Sequence, residues 1–214
     1  MDFNDTPEEA EFRAEARAFL EAHCRPKSAD AERLARRLSP QQYLAAAKEY
    51  QRKKAEAGFA GITWAKQHGG RGLAPIFAVI FNQEEAKFDA HAAPFSIGLG
   101  MCVPTVIAFA DEAVKDRYVA KALRGEEIWC QLFSEPGAGS DVAASKTKAV
   151  REGDDWIVNG QKVWTTGAHF SDFGILLVRT NPDVEKHKGL TMFIVDMKSP
   201  GVEVRQIHQA SGGR

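Results

Sequence analysis

The chain reads as an α+β protein: an all-helical N-terminal domain over residues 1–124, followed by an antiparallel, barrel-like β domain over residues 125–214. Three observations predict this order. Apolar residues recur at helical spacing behind helix-capping sequences through the first half. After Gly125 that period gives way to short runs rich in β-branched and aromatic residues. Turn-forming Gly, Pro, Asn and Asp then separate these runs at short intervals.

The helical elements follow in order. Thr6-Pro7-Glu8-Glu9 supplies an N-cap hydroxyl, a proline in the first turn and a glutamate three residues on, a capping box. Phe12, Ala16, Phe19 and Leu20 then share one helical face. Ser39-Pro40-Gln41-Gln42 repeats the device, and Gly58 offers a stop. Gly69, Gly70 and Gly72 mark an irregular connection, after which Pro75 opens an apolar helix through Ile76, Phe77, Val79 and Ile80. A further helix is expected after Pro94, and another capped by Asp111 and stopped near Gly125.

In the second half, residues 128–133, 174–179 and 191–196 read as strands. Residues 146–150 and 156–158 form a hairpin around Gly153-Asp154-Asp155. Asn159-Gly160 is read as a two-residue turn into a strand over residues 161–164, and Ser199-Pro200-Gly201 as a turn into a strand over residues 202–205. That last strand runs into the loop Ser211-Gly212-Gly213-Arg214, so the β domain reads as unfinished, with an open sheet edge.

Composition narrows the classes. The 28 basic and 29 acidic residues give a net charge of −1, which favours neither nucleic acid nor an anionic membrane. Arg33, Arg36 and Arg37, and Arg52, Lys53 and Lys54, read as solvated helix faces. Cys24, Cys102 and Cys130 are widely spaced and lack metal or disulfide patterns. His68, His91 and His169 show no metal spacing either. With no signal peptide and no apolar run long enough to span a bilayer, a soluble, cytoplasmic setting is expected.

Two runs carry the chemistry. The first is Leu132-Phe133-Ser134-Glu135-Pro136-Gly137-Ala138-Gly139-Ser140-Asp141, where a turn, flexible glycines and hydroxyls offer an anion-binding nest. It lacks the lysine of a phosphate-binding P-loop and the βαβ context of a dinucleotide fingerprint, and alone it also reads as an ordinary surface turn. The second is Asn159-Gly160-Gln161-Lys162-Val163-Trp164-Thr165-Thr166, where an indole beside two hydroxyls suits a flat conjugated ring, or equally a core tryptophan.

Together these runs resemble the acyl-CoA dehydrogenase family, with support from Lys146-Thr147-Lys148-Ala149, Gly58-Phe59-Ala60-Gly61-Ile62-Thr63-Trp64 and Gly69-Gly70-Arg71-Gly72. The resemblance implies N-terminal helices, a middle β domain and a C-terminal four-helix bundle that this chain lacks. It implies FAD as cofactor and an acyl-CoA thioester as substrate, with α,β-dehydrogenation passing hydride to flavin N5. By matching position, Gln131, Leu132, Phe133 and Ser134 line the flavin, the last two at its pyrimidine side. Gly139 and Ser140 lie near the phosphates, Ser140 also contacts the CoA part of the substrate, Trp164 flanks the ring, Thr166 bonds near N5, and Thr165 is counted with them as cofactor-binding.

The family's base belongs to the missing bundle, so no catalytic residue is assigned. Glu135 reads as a loop residue rather than the base, and Glu84 and Glu85 as solvated or paired. The resemblance also implies an electron-transfer flavoprotein as acceptor and a homo- or hetero-oligomer. Three alternatives stay open: a non-catalytic acyl-CoA- or flavin-binding subunit, a relic that needs a partner chain, and an oxidase or monooxygenase relative.

Overall fold

A computed structural model describes residues 4–29 and 38–210. Arg33, Arg36, Arg37 and the Ser211–Arg214 loop lie outside the described residues. The chain divides into two compact units, Met1–Ser96 with Phe109–Glu126, and Ile97–Ala108 with Glu127–Arg214.

The first unit is helical. Helix α1 (Pro7–His23) starts with the expected box: the Glu9 amide donates to Thr6 Oγ1 at 3.3 Å and the Thr6 amide donates to Glu9 Oε2 at 2.7 Å. Helix α2 (Pro40–Glu56) repeats it with Ser39 and Gln42, and Gly58 follows at φ +76°. Helix α3 (Pro75–Glu85) turns Phe77, Ile80 and Phe81 inward against Phe12, Leu20 and Phe59. The rings interlock: Phe12 meets Phe77 edge-on at 5.0 Å, and Phe59 stacks on Phe81 at 4.8 Å. A two-residue antiparallel pair, β1 (Arg25–Pro26) with β2 (Phe88–Asp89), ties the ends of α1 and α3.

Glu84 is buried on α3 and meets Arg13, Arg17 and Lys87 at 3.0, 3.2 and 2.8 Å. Glu85 pairs with Lys54 and accepts from the Tyr50 hydroxyl. Both glutamates are therefore paired, as one reading of the sequence expected. Beyond Pro94 a single helix is replaced by a 3₁₀ turn, a π turn (Gly98–Cys102) and helix α4 (Val103–Phe109). Asp111 precedes helix α5 (Glu112–Leu123) in cap conformation, but its side chain makes no capping bond.

The second unit holds a five-stranded sheet with the π turn packed on it through Gly98 against Trp129 and Cys102 against Cys130. Strand β6 (Phe173–Arg179) is central. On one edge it pairs with β3 (Trp129–Leu132) in parallel and with the start of β4 (Lys148–Glu152), also in parallel. On the other edge it runs antiparallel to β7 (Leu190–Asp196). Strand β5 (Asp155–Asn159) forms the expected hairpin with β4, turning at Gly153 with φ +63°.

The β domain departs from the sequence expectation in its strand directions, its closure and two of its strands. The sheet is mixed rather than antiparallel, because the long 133–172 connection returns β6 alongside β3 in the same direction. No closed barrel forms among the described residues. Residues 161–164 and 202–205 are not strands. Gly160 is not a hairpin turn but a close approach, since a Cβ there would lie 2.3 Å from Thr147 Oγ1. Among the described residues, 202–205 have no ladder partner, and Val202 and Val204 stay exposed.

Candidate functional site

The first run leaves the end of β3 and closes on itself. The Glu135 amide donates to the Ala138 carbonyl at 2.9 Å, and the Ala138 amide returns the bond at 3.1 Å. Pro136 and Gly137 form the exposed tip of this turn. A Cβ on Gly137 or Gly139 would meet nothing within 4 Å, so both offer bare backbone to solvent.

The Glu135 side chain turns the other way, into the protein. Its Oε2 accepts from the Lys146 amide at 2.7 Å, and its Oε1 accepts from the Thr147 amide at 2.9 Å and from Lys162 Nζ at 2.8 Å. Lys162 Nζ also donates to the Phe133 carbonyl at 2.9 Å. The two side chains are 7% and 6% exposed. Burial pushes the Glu135 carboxyl up, but Lys162, Thr147 and the two amides outweigh it and hold it at about 2. It is therefore an ionised, committed acceptor and not a base poised near neutrality.

The second run is brought against the first: the Val163 amide donates to the Ser134 carbonyl at 2.8 Å. Directly after it, Trp164 adopts a left-handed backbone, φ +60°, with its indole 75% exposed. An exposed aromatic in a strained conformation is held for something other than core packing. Thr165, next along the chain, has its Oγ1 buried without a hydrogen-bond partner, and Thr166 is exposed. The tryptophan is thus not a core residue among the described residues.

The remaining predicted positions fall around this junction. Gln131, Leu132, Phe133 and Ser134 are half-buried along β3 and just past it. Leu132 packs against Ala149, Leu176 and Val178, so its side chain serves the sheet. Gly139 and Ser140 are exposed, and Asp141 beside them pairs with Lys186 at 2.7 Å. Lys162, which the sequence did not single out, joins the two runs through its bonds to Phe133 and Glu135.

A cavity of about 260 Å³ opens behind the turn, lined by Glu135, Pro136, Gly137, Lys146, Thr147 and Gly160 among others. A larger hollow of about 390 Å³ lies in the helical unit beside Cys24, Tyr50 and His91, and holds no residue of either run. Its volume says nothing about chemistry, so the motif residues and not this larger hollow mark the candidate site. Among the described residues, no cluster of His, Cys, Asp or Glu could hold a metal ion.

Profiles of known families match both halves: "Acyl-CoA dehydrogenase, N-terminal domain" over residues 6–126 and "Acyl-CoA dehydrogenase, middle domain" over residues 130–214. The chain belongs to the acyl-CoA dehydrogenase family. Acyl-CoA dehydrogenase IpdE1 of Mycobacterium tuberculosis is 36% identical over 94% of the chain and 52% of its own length. Acyl-CoA dehydrogenase FadE34 of the same organism is 42% identical over 74% of the chain and 22% of its own length. In structure, the chain resembles the ChsE4-ChsE5 complex from M. tuberculosis, with TM-score 0.83 and 30% identity over 100% of this chain and 53% of that one. This acyl-CoA dehydrogenase chain therefore spans about half or less of the length of the curated relatives it matches. Among the described residues, no helix is long and apolar enough to cross a membrane.

Proposed function

We propose that this chain forms the flavin-holding part of an FAD-dependent acyl-CoA dehydrogenase. One observation carries the reading: Trp164 is left-handed and exposed, directly after Val163, whose amide bonds the Ser134 carbonyl of the first run. An exposed flat aromatic face held next to the backbone of that turn fits a conjugated ring. FAD when bound supplies hydride acceptance for α,β-dehydrogenation of a thioester.

The chain's own residues orient it. Phe133 and Ser134 present backbone and hydroxyl groups at the pyrimidine edge, with Gln131 and Leu132 supporting them from β3. The Trp164 indole would cover the ring, Thr166 would bond near its N5, and Thr165 would support that edge. The bare amides around Gly139 and the Ser140 hydroxyl suit phosphate oxygens and the CoA thioester. Glu135, ionised and bound to Lys162, is unsuited to remove the α-proton, so the base is expected from outside these two runs.

On this reading residues 1–124 and 125–214 act as N-terminal and middle domains, in a soluble, cytoplasmic protein with an electron-transfer flavoprotein as acceptor. A solved relative that is itself a two-component complex supports an oligomer. The test is anaerobic addition of a saturated acyl-CoA thioester to the FAD-loaded chain. A shifted flavin band without bleaching is expected. A band unmoved at saturating thioester would overturn the substrate class.

A further inference from the structure

Three backbone segments meet at one buried ion pair. Glu135 takes the amides of Lys146 and Thr147, at the entry to β4, while Lys162 takes the carbonyl of Phe133. The Ser134–Val163 bond closes the same junction one residue along each strand of chain. Burying two charges is expensive, and an apolar pair of similar volume would serve stability as well or better. What an apolar pair would not do is fix three backbone groups at set distances from one another. Every polar atom of the pair that the geometry engages is spent on backbone in the run before the turn, on backbone at the entry to β4, or on the partner charge.

We infer that Glu135 and Lys162 are positioning residues for the flavin ring, setting the spacing between Phe133 and Ser134 on one side and Trp164 and Thr166 on the other without touching the cofactor. The inference rests on the flavin reading of the site. It accounts for an ionised carboxylate in the family-like run that has no place in proton transfer. It also accounts for the left-handed turn at Trp164, which follows a residue pinned by the Val163 amide and a lysine pinned at its ammonium.

The test uses the full chain with Glu135→Gln, Lys162→Met and the double variant. FAD affinity and the vibrational fine structure of the bound flavin's visible band are read in each. Amide hydrogen exchange at Val163 and Thr147 is read in flavin-free protein, with Ile175 and Val178 in β6 as controls. Each single variant is expected to bind FAD about ten-fold or more weakly, with a blurred band, because small misplacements of a site are costly. Val163 and Thr147 exchange should accelerate while the β6 amides hold. The double variant removes the orphaned charge, so it should regain thermal stability but neither the affinity nor the fine structure. Wild-type affinity in the double variant would overturn the inference, since the single-variant losses would then come from an unpaired charge. Wild-type affinity in both single variants would overturn it too, while leaving the flavin reading intact. A wild-type chain that binds no FAD would overturn the flavin reading first, and the inference with it.

Discussion

Replacing Trp164 by glycine separates what its backbone costs from what its side chain does. A non-glycine residue at φ +60° carries roughly 1–2 kcal/mol of strain, which glycine removes. Against that, only a quarter of the indole is covered, so its loss exposes on the order of 50 Å² of apolar surface, about 1 kcal/mol. Glycine's extra chain entropy adds roughly 0.5–1 kcal/mol to the debit side. These terms nearly cancel, so Trp164→Gly should leave the flavin-free chain within about 1 kcal/mol of wild type. A buried tryptophan removed to a small residue would instead lose roughly 3–5 kcal/mol. The same variant should bind FAD about ten-fold or more weakly, because the ring loses its aromatic partner. Urea denaturation and a flavin titration on the same preparation check both halves. A stability loss above about 3 kcal/mol, or unchanged FAD affinity, would refute the argument.

Three other outcomes follow from the geometry. Glu84→Gln should destabilise the helical unit by about 2 kcal/mol, since it removes charge-assisted bonds from three cations, two of which can rehydrate; chemical denaturation measures it. Gly160→Ala should lower stability by roughly 1–3 kcal/mol, because the new Cβ lands 2.6 Å from the Thr147 Cα, a backbone atom that cannot swing aside; a thermal melt decides this. Acid should act through Glu84 and Glu135, both held at about 2, Glu84 by Arg17, Lys87 and Arg13 against the upward push of burial. Their folded pKa lies below the unfolded value of 4.5, so their stabilisation is present above that value and lost as pH falls toward 2. Each contributes up to about 3 kcal/mol to that loss, and urea midpoints across this window should rise less steeply with pH in Glu135→Gln.

Local chemistry explains what could be read in advance. The capping boxes at Thr6 and Ser39 act within one turn of chain, so the residues that make them sit together in the sequence. The Gly153 hairpin is legible for the same reason. Strand direction is not: nothing in residues 129–132 or 173–179 distinguishes parallel from antiparallel neighbours, and the choice is made by the route of the intervening 133–172 connection. Asn159-Gly160 carries a hairpin signature, yet its glycine is required by the side chain and backbone of Thr147 pressing against it. Both chemical runs were visible because each gathers its groups within ten residues. The ion pair joining them spans 27 positions, and the left-handed turn at Trp164 has no marker in the sequence, so neither could be read from spacing alone.

Whether these two runs together hold a flavin is read directly by a visible-absorbance titration of the purified chain with FAD. A shifted, structured flavin band that saturates at about one FAD per chain is expected. A spectrum indistinguishable from free FAD at every ratio would contradict it.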